Sequence, residues 1–214
     1  MRKYARDFRM FTGGNVLIST LSGMLISMLL FAGLAAVRSY AESEMVKGFC
    51  EGFMPMFCLV IPIIGYIPCN VIFSLNRPTT PGYKFFHSLP EASVHFRRAI
   101  VAGSLASLIM LLIWAGVLWI WSPAVALLIL FIGLILKGVQ NFFGHAKSTG
   151  AMFVPSMAVI FAMGIFIGFI GEDVDLFSAD VLDVLPFTAA GAAVFVIGTI
   201  YCAAIAEKKW HRED

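Results

Sequence analysis

Apolar positions along the chain come in long blocks, not at the two-residue spacing of half-buried strands. The blocks cover residues 16–37, 53–75, 99–120, 124–143, 152–170 and 186–206. Each is about 20 residues long, and at about 1.5 Å per residue a helix of that length crosses about 30 Å of hydrocarbon. The pattern predicts an all-α, polytopic membrane protein with six transmembrane helices. The first block follows a basic start, but its length exceeds the roughly 7–15 residues of a signal-peptide core, so a span is predicted there. Only Trp121, Ser122 and Pro123 separate the third and fourth blocks. That spacing predicts a tight helical hairpin with Trp119 and Trp121 at the level where interfacial aromatics sit. Lys137 lies close to the end of the fourth block, where its stem is expected to carry the ammonium to the headgroups.

The segments outside the blocks add detail. Met1, Tyr4, Phe8 and Phe11 recur at helical spacing while Arg2, Arg6 and Arg9 fall on another face, which predicts an amphipathic interfacial helix over 1–14 that ends at Gly13-Gly14. The six-span domain then covers 15–206, and a short tail covers 207–214. Between the last two spans, Glu172, Asp173, Asp175, Asp180 and Asp183 alternate with Val174, Leu176, Phe177, Val181 and Leu182. A segment of that kind is expected to fold onto the membrane or dip into it, giving an external re-entrant stretch over 172–185. Gly164-x-x-x-Gly168 and Ala32-x-x-x-Ala36 offer small-residue faces for close helix packing. Pro55, Pro62 and Pro68 recur through the second span. They either bend it along a pathway or leave carbonyls that neighbouring helices satisfy.

Composition agrees with the block pattern: 60% of residues are hydrophobic and 13% charged, about half the charge of a soluble domain. A disordered chain, a basic nucleic-acid binder and an ordinary soluble enzyme are all excluded by that balance, and no nucleic-acid partner is expected. Where the basic residues lie is more informative than the net charge of +2. Thirteen of the fifteen fall before the first span, between the second and third, around the fourth loop, or in the tail; Arg38 and Lys47 alone fall on the other side. The positive-inside rule therefore predicts a multi-pass cell-membrane protein with both termini cytoplasmic. Cys50, Cys58, Cys69 and Cys202 have no metal or redox spacing and read as small apolar residues.

Motifs for catalysis are missing from the sequence. Gly144-His145-Ala146-Lys147-Ser148-Thr149 lacks the glycine before lysine that a phosphate-binding loop needs, so the chain is not expected to hydrolyse ATP itself. No HExxH, GxSxG or intramembrane carboxylate pair occurs, and no metal site is predicted. Gly144-His145-Ala146-Lys147 is similar to an element of membrane peptidases that process quorum-sensing peptides. Those enzymes pair the histidine with a nearby cysteine; here all four cysteines lie elsewhere in the sequence, and His145 reads as a solvated loop residue.

The most informative stretch is the predicted cytoplasmic loop 76–98, NRPTTPGYKFFHSLPEASVHFRR. Pro78, Pro81 and Gly82 end the second span, after which Tyr83, Phe85, Phe86 and Leu89 place apolar surface in the cytoplasm. Ser88-x-x-Glu91 has capping-box spacing with Pro90 in the first turn, which predicts a helix that starts there and runs on into the third span.

In this arrangement the chain resembles the permease subunits of type-2 ABC exporters. That family has an N-terminal amphipathic helix, six spans with both ends inside, re-entrant helices before the last span, and an aromatic-rich first cytoplasmic loop with a Ser-Leu-Pro element. Here the element is Ser88-Leu89-Pro90, preceded by Lys84-Phe85-Phe86 and followed by Arg97-Arg98. Where a basic residue often follows Leu-Pro in the family, this chain has Glu91-Ala92-Ser93. The resemblance implies that Tyr83, Lys84, Phe85, Phe86, His87, Ser88, Leu89, Pro90 and Glu91 form the coupling helix that docks on ABC ATPase subunits. It also implies a second permease subunit, identical or homologous, and no cofactor in this chain, with ATP and Mg held by the ATPase. The cargo is expected to be amphipathic or peptidic. An alternative from another class is the substrate-binding membrane component of a vitamin-type transporter, which also has about six spans; an intramembrane enzyme is the third reading.

Overall fold

The computed structural model describes residues 2–12, 14–50, 85, 88–120, 122–143, 154–155, 157–159, 161–162 and 180–210, without the side chains of 11–20, 23–24, 27 and 206–210. The predicted second span (53–75), most of the fifth (152–170), the segment 172–179, Gly164 and Gly168 lie outside these residues. Among the described residues every regular element is a helix, in the order α1 (Arg2–Thr12), α2 (Gly14–Tyr40), α3 (Ala92–Trp119), α4 (Pro123–Phe143) and α5 (Val181–Trp210).

Three of them, α3, α4 and Val181–Ile205 of α5, are long and apolar enough to cross a membrane. They correspond to the predicted third, fourth and sixth spans, and the predicted first span falls inside α2. A membrane protein with transmembrane helices follows at that level of description. Both α3 and α5 begin earlier than their apolar blocks. In α3 the extra residues are 92–98, almost two turns of polar stem on which His95, Arg97 and Arg98 ride. In α5 they are 181–185, so this part of the expected re-entrant stretch is the first turn of a continuous helix. Asp180 caps it: its carboxylate accepts the Leu182 N–H at 3.0 Å.

The start of α3 differs from the expected capping box. The Ser88 hydroxyl donates backward to the Phe85 carbonyl (2.8 Å) instead of capping the helix. Leu89-Pro90-Glu91-Ala92 forms a turn closed by the Ala92 N–H on the Leu89 carbonyl (3.2 Å). Glu91 takes the left-handed conformation (φ 55°, ψ 28°) and makes no side-chain cap. Proline at the second turn position and positive φ at the third are the marks of a type II turn. A left-handed non-glycine residue is strained, so Glu91→Gly is expected to stabilise the fold by roughly 0.5–1 kcal/mol after allowing for the greater freedom of glycine in the unfolded chain. A denaturant titration of both proteins in one detergent checks this.

The α3–α4 hairpin forms as predicted. Pro123 is the first residue of α4, and the Ser122 Oγ accepts the Val125 N–H at 3.4 Å. At the centre of the core, α4 packs on both α3 and α5. Phe31 of α2 meets Trp114 of α3 edge to face at 5.5 Å, in a cluster with Met110, Leu118 and Ile129. A second cluster joins Leu111, Phe131, Leu134, Leu136 and Phe195. The small-residue face Ala32/Ala36 is exposed; Phe31, Leu34 and Ala35 do the packing for α2.

Lys137 does not reach outward as expected. It is 0% exposed, on the inner side of α4, with Gln140 and Asn141 also buried one turn on. Asn141 donates to Ser104 Oγ of α3 (3.2 Å) and to Thr199 Oγ1 of α5 (3.0 Å), so one amide ties three helices. A polar layer crosses the bundle at this height, where a lone ionisable group facing lipid would be costly. Cys50 and Cys202 are buried thiols, packed as small apolar residues.

Candidate functional site

The described part of the 83–91 stretch and the N-terminal helix meet in one place. Phe85 is 62% exposed, Ser88, Pro90 and Glu91 are exposed, and Leu89 is half-buried. Tyr83, Lys84, Phe86 and His87 lie outside the described residues. Helix α1 packs across the polar stem of α3. On its packed edge Phe8 and Asp7 are buried, Asp7 at 1% exposure, while Tyr4 is exposed.

Asp7 is held by basic side chains. Its Oδ2 lies 3.0 Å from His95 Nδ1 and 3.6 Å from Arg98 Nη1, while Oδ1 lies 3.3 Å from Arg6 Nε. His95 and Arg98 are three residues apart on α3, so one helical face presents both to the carboxylate. Burial pushes the Asp7 carboxyl up, but hydrogen bonding and charge from His95, and then from Arg6, outweigh it and hold the group below its ordinary value. The Arg6 side chain is 68% exposed and adds little beyond the partly buried His95 and Arg98.

Asp7 and His95 are not singled out by the sequence, and Arg98 enters there only as a flank of the Ser-Leu-Pro element. The available signal was that Asp7 is the one acid in an eleven-residue helix with Arg2, Lys3, Arg6 and Arg9. Beside the clamp is an open groove of about 850 Å3, walled by Arg2, Arg6, Arg9 and Met10 of α1 and by Leu89 and Pro90 of the turn. Two thirds of the Ser-Leu-Pro element is therefore part of a surface shared with α1. Among the described residues, no three His, Cys, Asp or Glu side chains converge to hold a metal.

Chemically the junction is a mechanical joint with a charged face. It fixes one helix to the foot of another and leaves arginines and an aromatic turned outward. No protein-family model, curated protein or solved structure matches the chain, so its function is read from its own sequence and geometry.

Proposed function

We propose that the chain is the transmembrane permease subunit of an ATP-driven ABC exporter, coupled to separate ATPase subunits through the 76–98 loop. The supporting observation is α3 itself. It runs unbroken from Ala92, next to the Leu89-Pro90 turn, to Trp119. Twenty-eight helical residues make a rod of about 42 Å, so a displacement at the turn is carried the full depth of a span. The Asp7 clamp fastens α1 to the same rod and makes the foot of the lever stiff.

In this reading six spans cross the membrane with both termini in the cytoplasm, as the distribution of basic residues favours. Two permeases, identical or homologous, enclose the path of an amphipathic or peptide cargo. ATP and Mg bind in the ATPase, whose closure moves the loop and switches the pair between two arrangements.

The test is co-purification with native partners. Wild type is expected to bring down an ATPase with an ABC signature. Leu89→Ala combined with Phe85→Ala is expected to weaken that association about 30-fold, since truncating one interface hot spot can cost about 2 kcal/mol. Unchanged association and transport would overturn the coupling role, and a tightly held vitamin in place of an ATPase would favour the binding-component alternative. Labelling of single cysteines at Glu44 and Lys147 from opposite sides reports on topology separately.

A further inference from the structure

Arg2, Arg6 and Arg9 stand at i, i+4 and i+7 on α1, which puts them on one face, and that face walls the groove. Only Arg6 meets an acid; Arg2 and Arg9 have no acidic partner among the described residues. Asp7, the one carboxylate at the groove, is already engaged by His95, Arg98 and Arg6. The groove therefore carries uncompensated positive charge. Its remaining wall is the Asp7–His95 pair and the apolar Ala5, Met10, Leu89 and Pro90.

A ligand matched to both halves has an anionic head and an apolar body. Position along α3 narrows the choice. The groove lies beside the first turn of α3, and seven residues separate Ala92 from the start of the apolar block at Ala99, a rise of about 10 Å. Headgroups occupy the layer just outside the hydrocarbon, several Å deep on each side. The basic residues mark this side as the inner leaflet, where anionic lipids attract arginines.

We propose that the groove binds an anionic phospholipid, with Arg2 and Arg9 on the phosphate oxygens and Met10 and Leu89 against the first acyl carbons. Arginine suits this role because its planar fork can give two hydrogen bonds to one phosphate. The site rests on the topology proposed above but needs no ATPase, so the chain alone is enough to test it. Lipid bound here would brace α1 against the coupling turn from the membrane side.

Full-length protein in a neutral detergent is titrated with phosphatidylglycerol, phosphatidylcholine or glycerol 3-phosphate, and bound lipid is counted by native mass spectrometry. Phosphatidylglycerol is expected to bind and the other two to be retained at least tenfold less. Arg2→Gln with Arg9→Gln is expected to weaken phosphatidylglycerol binding roughly twenty- to thirty-fold. Lys3→Gln, which removes a charge from α1 outside the groove, is expected to change it less than threefold. Equal retention of the two lipids, or full binding by the arginine double variant, would overturn the site. Glycerol 3-phosphate binding as tightly as the lipid would overturn the lipid assignment in favour of a soluble phosphate ester. Because both arginines are exposed, the double variant keeps the packed edge of α1, and its elution volume checks that it is folded.

Discussion

Gly198→Ala is expected to pry α5 away from α4 and to cost about 3 kcal/mol. A Cβ at Gly198 would stand 2.5 Å from the Gly138 carbonyl oxygen and 3.1 Å from its Cα; one at Gly138 would stand 2.7 Å from the Val194 carbonyl oxygen. Both obstacles are backbone, so no side chain can swing aside and the helices themselves must separate. That movement would also stretch the Asn141–Thr199 hydrogen bond, because Thr199 is the next residue on α5. Gly116→Ala is the control. No described residue lies within 4 Å of that Cβ, and alanine is the better helix former, so a small gain is expected. Thermal unfolding of the three proteins in detergent separates the outcomes, and a Gly198→Ala midpoint equal to wild type would refute the close α4–α5 contact.

His95→Ala is expected to release α1 from α3. Removing the nearest partner of a buried carboxylate costs about 1.5–3 kcal/mol, the worth of a hydrogen bond to a charged group. Arg98 and Arg6 remain near Asp7 but are partly exposed, so about 2 kcal/mol is a fair expectation once solvent screening is allowed for. Asp7→Asn should cost less, since His95 and Arg98 can then turn to water. Amide hydrogen exchange across 2–12 measures both, with exchange expected to be faster by at least tenfold in His95→Ala. The acid side carries a second signature. The Asp7 carboxyl titrates below its ordinary value when α1 is docked, so in that window the undocked state binds more protons and docking strengthens as pH rises. Its contribution is complete above the ordinary carboxylate value of about 4 and is lost as pH falls through the lowered one. Asp7→Asn should remove this acid-side release of α1 and leave exchange near neutral pH to other groups.

The bundle was legible in the sequence where one local rule decided the outcome. Apolar blocks of spanning length gave α3, α4 and α5, and Ser122-Pro123 gave the hairpin, because a cap and a first-turn proline act within a few residues. The helix start at Ser88 was misread because two local rules compete there. A residue before proline avoids the helical conformation, so Leu89 cannot continue a helix begun at Ser88. The chain instead reverses at Glu91 and starts at Ala92. Lys137 was misread for a different reason. Distance to the end of a span is readable from the sequence, but which way the side chain faces depends on which helix sits at the centre. That α4 is apolar around nearly its whole circumference was the available clue, although lipid accepts such a helix as readily as a bundle does.

Asp7 illustrates a third limit. Its partners His95 and Arg98 lie some ninety positions away, and no periodicity within α1 points to them. The sequence marked the amphipathic helix and the 76–98 loop as separate features, while the carboxylate that joins them is an exception within the pattern of its own helix. An isolated acid among four cations is the kind of exception that tertiary structure explains.

The α3–α4 hairpin also bears on how the chain enters the bilayer. Lys137, with Gln140 and Asn141 one turn on, makes the last third of α4 a poor match for lipid when the helix is alone. With only Ile120, Trp121 and Ser122 between α3 and Pro123, the translocation machinery meets the two helices almost at once. It is therefore presented with a preformed pair, in which Ser104 is already available to Asn141. Lengthening that turn with a polar spacer would let α4 arrive late and alone, and the penalty would appear as α4 stranded outside the membrane during synthesis rather than as a weaker finished fold.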